Sequence, residues 1–336
     1  MTGTDDRPLE AALAQAGTQT PAVEARLRAA WAASPLEAAG EAHETAGGKR
    51  SRVRLALTAA ALLGCDERDA EAAATAVELL HNASLVHDDL IDEDTTRRGA
   101  ASVWQAHGTP AAVLLGDRLL AAAHAEAAAT SAPRGLVQAL SATARRLVDG
   151  VAREHAPAAA EPGEAARDAY LDLARDKSGA LFAFAVDAAL ILLGVPDRER
   201  HFARTAFEAL GAAYQIGDDL ADLDGCKLGR PAGGDVALVR LCAPVAALRA
   251  IGAPGIVAAF DRDLAAPGKA EAWMERLRGA DVRAEVTGWQ DALMGDAASA
   301  GARLRPELRA FTGWAATAIG GPAASEEEPA CAAATP

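Results

Sequence analysis

The chain has 336 residues, of which 51% are hydrophobic and only 4% aromatic, and its formal net charge is −14 at pH 7. This length and apolar content permit one large core as well as two domains of ~150 residues, while the charge argues against nucleic acid as a partner, because phosphate backbones attract basic surfaces. Small phosphorylated ligands in a local basic pocket remain compatible with it, and abundant alanine with few bulky sheet-forming residues favours helix.

Residues 1–20 are polar and mixed, and read as a flexible N-terminal arm without the features of a signal peptide. From residue 21 to 319 the pattern is that of successive helices in one all-α domain. Helices are expected over 22–33, 37–46, 51–64, 69–92, 109–130, 134–155, 164–194, 198–223 and 240–250. Gly, Pro and Asp clusters such as "LGCDERD", "SAPRG" and "DGCKLGRPAGGD" separate them. The longest apolar run, "GALFAFAVDAALILLGV", contains Asp187 and is short of a full span, so it reads as buried helix and no membrane span is expected. Weaker helices follow near 268–278, 282–300 and 303–318, and the Pro/Ala/Glu-rich residues 320–336 read as a disordered tail. No sustained two-residue alternation argues for a sheet. The spacing of Cys65, Cys226, Cys242 and Cys331 fits neither a zinc pattern nor a disulfide framework, so a reducing, cytoplasmic setting is expected.

Two acidic motifs echo each other, DDLID at 88–92 and DDLAD at 218–222. On a helix, positions i, i+1 and i+4 span roughly a third of the circumference, so Asp88, Asp89 and Asp92 share one side, as do Asp218, Asp219 and Asp222. Each triple falls at the C-terminal part of a long predicted helix, where the macrodipole is already negative. Carboxylates crowded in this way raise their pKa or bind cations, and two triples of hard oxygen ligands suit Mg²⁺. One such motif is as readily a solvated helix end. Two of them, each after two turns of apolar or small residues, fit a cavity mouth better. Basic residues stand nearby in "AGGKRSRVR" (Lys49, Arg50, Arg52, Arg54), at Arg97 and Arg98, at Lys177, and at Lys227, Arg230 and Arg240. Acidic beside basic clusters in an acidic protein suggest metal ions and phosphates meeting in one site.

The ordered set "GGKRSRVR", "ELLHNASLVHDDLIDEDTTRRG", "LLGDRLL", "DKSGALF" and "YQIGDDLADLDG" resembles the all-E prenyl diphosphate synthases, the polyprenyl synthetase family, over roughly residues 21–245. The resemblance implies helices surrounding a deep central cavity, a homodimer, and addition of isopentenyl diphosphate to an allylic diphosphate such as the dimethylallyl, geranyl or farnesyl compound. It implies three Mg²⁺ ions, two on Asp88, Asp89 and Asp92 and a third on Asp218 with Asp219 and Asp222. It also implies that Arg97, Lys177 and the basic residues after the second motif, Arg230 and Arg240, hold the allylic diphosphate. Gly48, Lys49, Arg50, His81 and Arg98 match positions that hold isopentenyl diphosphate, and Ser178 and Gln215 match positions beside the developing cation. The catalytic set is then Asp88, Asp89, Asp92, Arg97, Lys177, Gln215 and Asp218. His87 and Asp117 read as structural.

The chain departs from the family pattern at several points. Arg230 stands where lysine is usual, "VRLCAP" replaces Gly-Lys-x-Thr-Leu-Pro, Ser178 stands for threonine, and Gly150-Val151 for Gly-Gln or Gly-Glu. Small residues at Ala83 and Ser84, where the family places the floor that stops chain growth, imply a deeper floor at Leu80, Val77 or beyond. The product is then geranylgeranyl diphosphate or longer. A terpene cyclase on the same fold and a non-catalytic subunit of a heteromeric synthase are the alternatives. Retained Lys49, Arg50, His81 and Arg98 argue against the first, and intact aspartates against the second.

Overall fold

The computed structural model describes residues 7–45, 47–155, 162–226, 232–238, 240–264 and 269–320. Four helices come first: α1 (Arg7–Ala29), α2 (Glu37–Thr45), α3 (Ser51–Leu63) and α4 (Glu67–Ile91). A hairpin of two-residue strands, β1 (Thr96–Arg97) and β2 (Ala100–Ala101), follows, with Thr96 opposite Ala101 and Arg97 opposite Ala100. Next come α5 (Val103–His107), α6 (Thr109–Ala128), α7 (Pro133–His155) and α8 (Glu164–Ala174). A π-helical turn (Arg175–Gly179) joins α8 to α9 (Ala180–Leu192). The chain continues through α10 (Asp197–Asp224), α11 (Gly234–Ala237), α12 (Ala243–Ile251) and α13 (Pro254–Leu264). A 3₁₀ turn (Ala270–Trp273) precedes α14 (Met274–Leu277), α15 (Ala280–Gly301) and α16 (Pro306–Gly320).

Local chemistry sets the ends of the helices that matter most. Asp66 caps α4 by accepting from the Arg68 and Asp69 N–H groups at 2.9 and 3.3 Å, and Glu67 and Asp69 favour its positive end. Gly225 ends α10 at φ 75°, a left-handed conformation that glycine adopts without a Cβ clash. The middle of α4 is buried on nearly every side, as is α9 from Ala180 to Ile191. These are core helices, around which α3, α6, α7 and α10 pack. The one charge inside α9, Asp187, is paired with Arg200 at 2.9 Å. No helix among the described residues is long and apolar enough to cross a membrane.

Several expectations change. Residues 7–20 are not an arm but the first part of α1, with Leu9, Ala12, Ala16 and Gln19 buried at helical spacing. The helix expected from residue 22 instead begins at Arg7 and runs through Pro21. The single helix expected over 164–194 is α8, the π turn and α9. The hairpin, α5 and α13 were not expected, and α12 begins at Ala243 instead of 240. Of the expected tail, only Gly320, the last residue of α16, lies within the described residues. Cys65 and Cys242 are free thiols.

The π turn lies hard against α10 because both carry glycine at the crossing. A Cβ on Gly211 would lie 2.7 Å from the Gly179 Cα and 3.0 Å from the Phe182 Cβ. Gly211→Ala should therefore destabilise the protein by about 1–3 kcal/mol in urea unfolding, the usual range for overpacking a tight contact. A loss below about 0.5 kcal/mol would show that the crossing is looser than this spacing implies.

Candidate active site

The C-terminal ends of α4 and α10 meet at one cavity, and the hairpin and π turn complete its rim. Asp88, Asp92 and Asp218 line it. Asp89, Asp219 and Asp222 do not, although the sequence grouped them with those three. Successive helical residues are 100° apart, so Asp89 and Asp219 turn off the face of the aspartate before them, while Asp222, one turn after Asp218, is engaged by the chain that folds back on α10. Asp89 is 1% exposed and accepts from Arg97 Nε at 2.8 and 2.9 Å and from Nη2 at 2.6 Å. Asp219 accepts from the Tyr170 hydroxyl (2.7 Å), Gln215 Nε2 (2.8 Å) and the Ala243 N–H (2.8 Å). Asp222 accepts from the Asp235 N–H at 3.2 Å, which ties the chain after Gly225 back onto α10.

Asp88 and Asp92 are under electrostatic stress. Burial pushes Asp88 up to about 7, with Lys177 opposing and Asp92 and Glu154 adding to the shift. Burial also raises Asp92, against the pull of Arg240 and Lys177. Arg240 spans Asp92 (2.7 Å) and Asp235 (3.0 Å), and His155 Nε2 lies 3.1 Å from Asp92. Lys177 pairs with Glu154. Burial works against its charge, but Glu154 and Asp88 outweigh that and hold its pKa above the ordinary lysine value. A cavity in which Asp88 and Asp92 both resist ionisation is short of positive charge, which is the condition for taking up a cation. Among the described residues no three acidic, histidine or cysteine groups converge on one metal position. An ion here would need oxygens from a ligand as well, the usual arrangement for Mg²⁺.

A second, smaller cavity adjoins the first and shares Arg52, His81, Leu85 and Arg98 with it. Gly48, Lys49 and Arg50 line it too. The structure changes the weight of these residues. Arg50 caps α3 at φ 51° and is held by Glu78 (3.0 Å), Glu44 and, at 3.9 Å, Glu24. Arg52 reaches both cavities: its Nη1 lies 3.0 Å from His81 Nε2, and its guanidinium sits 4.9 Å over the Phe182 ring. His81 is buried, and burial, then Arg52, hold its pKa well below the ordinary value, so it is a neutral imidazole. In the hairpin Arg98 and Gly99 both have positive φ (51° and 79°), as a type I′ turn requires. That turn aims Arg97 at Asp89 and lets Arg98 donate to the Gly47 carbonyl. A Cβ on Gly48 would lie 2.9 Å from Arg98 Nη1, so a side chain there would push the Arg98 guanidinium aside.

The π turn presents Lys177 and Ser178 together. Ser178 Oγ donates to Gln215 Oε1 at 2.6 Å, and both residues line the main cavity. π turns interrupt helices most often at functional positions. On α4, His81, Ser84, Leu85, Asp88 and Asp92 form the cavity stripe at i, i+3, i+4, i+7 and i+11. Ala83 and Leu80 fall outside that stripe in the core, 4% and 3% exposed, so of the three chain-length positions only Ser84 faces this cavity. Arg230 and Lys227 lie outside the described residues. His87 sits against Gly116 with its Nε2 3.3 Å from the Val113 carbonyl, and Asp117 is exposed.

Glu154, Asp235 and Arg52 were not among the predicted site residues. Arg52 had a signal: it belongs to the basic run of Lys49, Arg50, Arg52 and Arg54 after the Gly-Gly pair. Glu154 had a weaker one, four residues after Gly150, where a Cβ would lie 2.8 Å from the Lys177 backbone nitrogen. Asp235 had none: it pairs locally with Arg240, but only the return of α11 onto α10, where the Asp235 N–H meets Asp222, brings it to the cavity.

Comparisons with known proteins bear on the family and the fold. The family model described as polyprenyl synthetase matches residues 34–258. The chain is 36% identical over 194 residues to a geranylgeranyl pyrophosphate synthase of Geoglobus acetivorans, covering 57% of this chain and 61% of that protein. It is 33% identical over 193 residues to a short chain isoprenyl diphosphate synthase of Methanocaldococcus jannaschii, covering 57% and 59%. The match thus spans about three fifths of each of these relatives. Among solved structures, a Caulobacter crescentus polyprenyl synthase complexed with calcium and isoprenyl diphosphate is similar at TM-score 0.78 and 26% identity, covering 94% of this chain and 98% of that one. A decaprenyl diphosphate synthase from Rhodobacter capsulatus is similar at TM-score 0.77 and 26% identity, covering 93% and 99%.

Proposed function

Because the chain belongs to the polyprenyl synthetase family, we propose that it is a prenyltransferase joining isopentenyl diphosphate to an allylic diphosphate. The allylic partner is the dimethylallyl, geranyl or farnesyl compound, and the product is geranylgeranyl diphosphate or a longer all-E homologue. The observation that carries this reading is the pair of adjoining cavities. One sets Asp88, Asp92 and Asp218 among Lys177, Arg97 and Arg240, and the other gathers Lys49, Arg52, Arg98 and His81 without a carboxylate triad. A metal-loaded diphosphate fits the first, and a bare diphosphate fits the second.

Asp88, Asp92 and Asp218 would hold Mg²⁺, three ions in all on the family pattern, and the ions would supply neutralising charge to the departing diphosphate. Lys177 and Arg97 add fixed positive charge on the same oxygens. The allylic C–O bond breaks with its electron pair leaving on the diphosphate. The double bond of isopentenyl diphosphate then attacks the allylic carbon, and the proton lost from the adduct goes to the released diphosphate. Leu85, Leu181 and Tyr214 give that part of the wall its apolar character and limit capture of the cation by water. A homodimer and a cytoplasmic setting belong to the same proposal. Val113 (39% exposed) and Leu114 (55%) on α6 and Val148 (66%) on α7 are apolar side chains that a second subunit would cover.

Incubating the pure protein with labelled isopentenyl diphosphate, each allylic primer and Mg²⁺ tests the reading. Elongated product is expected, whereas no elongation with any primer overturns it. Cyclised product in the absence of isopentenyl diphosphate favours the cyclase alternative. Product length is expected to respond to Ser84, which faces the cavity one turn before Asp88. Ser84→Phe should shorten the longest product by at least one isoprene unit, read by chromatography of the dephosphorylated alcohols. An unchanged distribution would place the growing tail elsewhere.

A further inference from the structure

The second motif contains a carboxylate that never reaches the cavity, and its partners say what it does. Asp219 is 5% exposed on α10, yet three donors converge on its two oxygens. Oδ2 takes the Tyr170 hydroxyl at 2.7 Å and the Ala243 N–H at 2.8 Å, and Oδ1 takes Gln215 Nε2 at 2.8 Å. A backbone N–H can only donate. With the Gln215 nitrogen donating to Asp219 Oδ1, Oε1 is left to accept the Ser178 hydroxyl at 2.6 Å. Both ends of this amide are satisfied in one orientation. In the flipped one, Oε1 would face the Asp219 carboxylate.

We infer that Asp219, braced by Tyr170, is a positioning residue that fixes the Gln215 side-chain amide so that its carbonyl oxygen is held on the Ser178 side of the cavity. This rests on the prenyl-transfer reading. There, an oriented amide oxygen offers negative potential to an allylic cation at no cost of reorientation during the reaction. The elements are built for it. The Gly179–Gly211 crossing brings the π turn onto α10, and Gln215 follows Gly211 by one helical turn. The Tyr170–Asp219 contact spans α8 and α10 and is packed beneath the Trp289 ring, 6.0 Å between ring centroids. The second aspartate of the motif thus acts on the cavity through a neutral side chain, and not as a metal ligand.

The test is a double-mutant cycle between Asp219→Asn and Gln215→Leu, read on single-turnover elongation. Asn puts an NH₂ where a donor already points, so the amide loses its fixed orientation. Asp219→Asn should lower kcat about tenfold, the equivalent of losing one hydrogen bond to a charged group, with the KM for isopentenyl diphosphate within about twofold of the parent. In the Gln215→Leu background the same change should cost less than about twofold. Equal losses in both backgrounds overturn the inference, since a purely structural role does not depend on Gln215. If Asp219→Asn does not fold, Tyr170→Phe takes its place in the cycle, with a smaller expected loss of about threefold and the same rule for rejection. Hydrogen exchange of the Gln215 side-chain amide, followed in ¹⁵N-glutamine-labelled protein, is independent of any reaction. Slow exchange in the parent that becomes fast in Asp219→Asn or Tyr170→Phe supports the inference, and exchange unchanged by either substitution overturns it. A parent that makes no prenyl product would defeat the prenyl-transfer reading and leave this exchange result to decide the positioning.

Discussion

Asp88→Asn should lower kcat by about 10³-fold or more while leaving the protein at least as stable near neutral pH. The kinetic part follows from charge. A cation at a departing oxygen supplies several kcal/mol of transition-state stabilisation, and about 4 kcal/mol is three decades in rate. The stability part follows from the direction of its pKa. Burial raises Asp88 from the usual 3.8 to about 7. The stabilising contribution of its protonated form is full below about 3.8 and is lost as pH rises through about 7. Without metal, the parent should therefore lose stability relative to Asp88→Asn between pH 4 and pH 7.5, as measured by urea unfolding. A variant keeping a tenth of the parent activity would remove Asp88 from the catalytic set. A stability difference that does not change over that pH range would mean the carboxylate ionises freely.

Arg97→Met is expected to cost about 3–5 kcal/mol of folding stability, because it strands a buried charge. Asp89 is 1% exposed, and the Arg97 guanidinium contacts both its oxygens at 2.6–2.9 Å. Burial alone would lower the Arg97 pKa, but its hydrogen bond to Asp89 and the charges of Asp89, Asp88 and Asp94 outweigh that and raise it. Arg97 therefore stays charged against Asp89, and removing it leaves that buried carboxylate without the guanidinium that satisfies both its oxygens. Replacing both halves, Arg97→Met with Asp89→Leu, should recover much of the loss, since a buried pair exchanged for apolar side chains is often near neutral. Urea midpoints of the single and double variants decide it. A loss under about 1 kcal/mol for Arg97→Met would show that Asp89 has another route to satisfaction.

These two substitutions divide a motif that the sequence presents as one unit. The acidic positions, their helices and the order of the basic segments were legible because helical periodicity and local charge are written along the chain. The rotation of each helix about its axis was not. Spacing places Asp88, Asp89 and Asp92 within one arc, but packing of α4 decides which part of that arc meets the cavity, and the structure gives it to Asp88 and Asp92. The same limit moved weight from Arg50 to Arg52, and from Ala83 to Ser84. The π turn at Arg175–Gly179 was hidden because one extra residue per turn leaves no mark in a periodic pattern, and Asp235 depends on a loop returning to α10. In α1, Pro21 and small alanines hid a pattern that Leu9, Val23 and Leu27 follow.

The account rests on the division of six aspartates into three that face the cavity and three that brace it. Crystals grown with Mn²⁺ and a non-hydrolysable allylic thiodiphosphate would test that division directly, because Mn²⁺ is located by its anomalous scattering. Anomalous peaks are expected against Asp88 and Asp92 and against Asp218, with Asp89 still on Arg97 and Asp219 still on Gln215 and Tyr170. A peak bonded to Asp89, Asp219 or Asp222, or a diphosphate bound with no metal peak at Asp88, would contradict it.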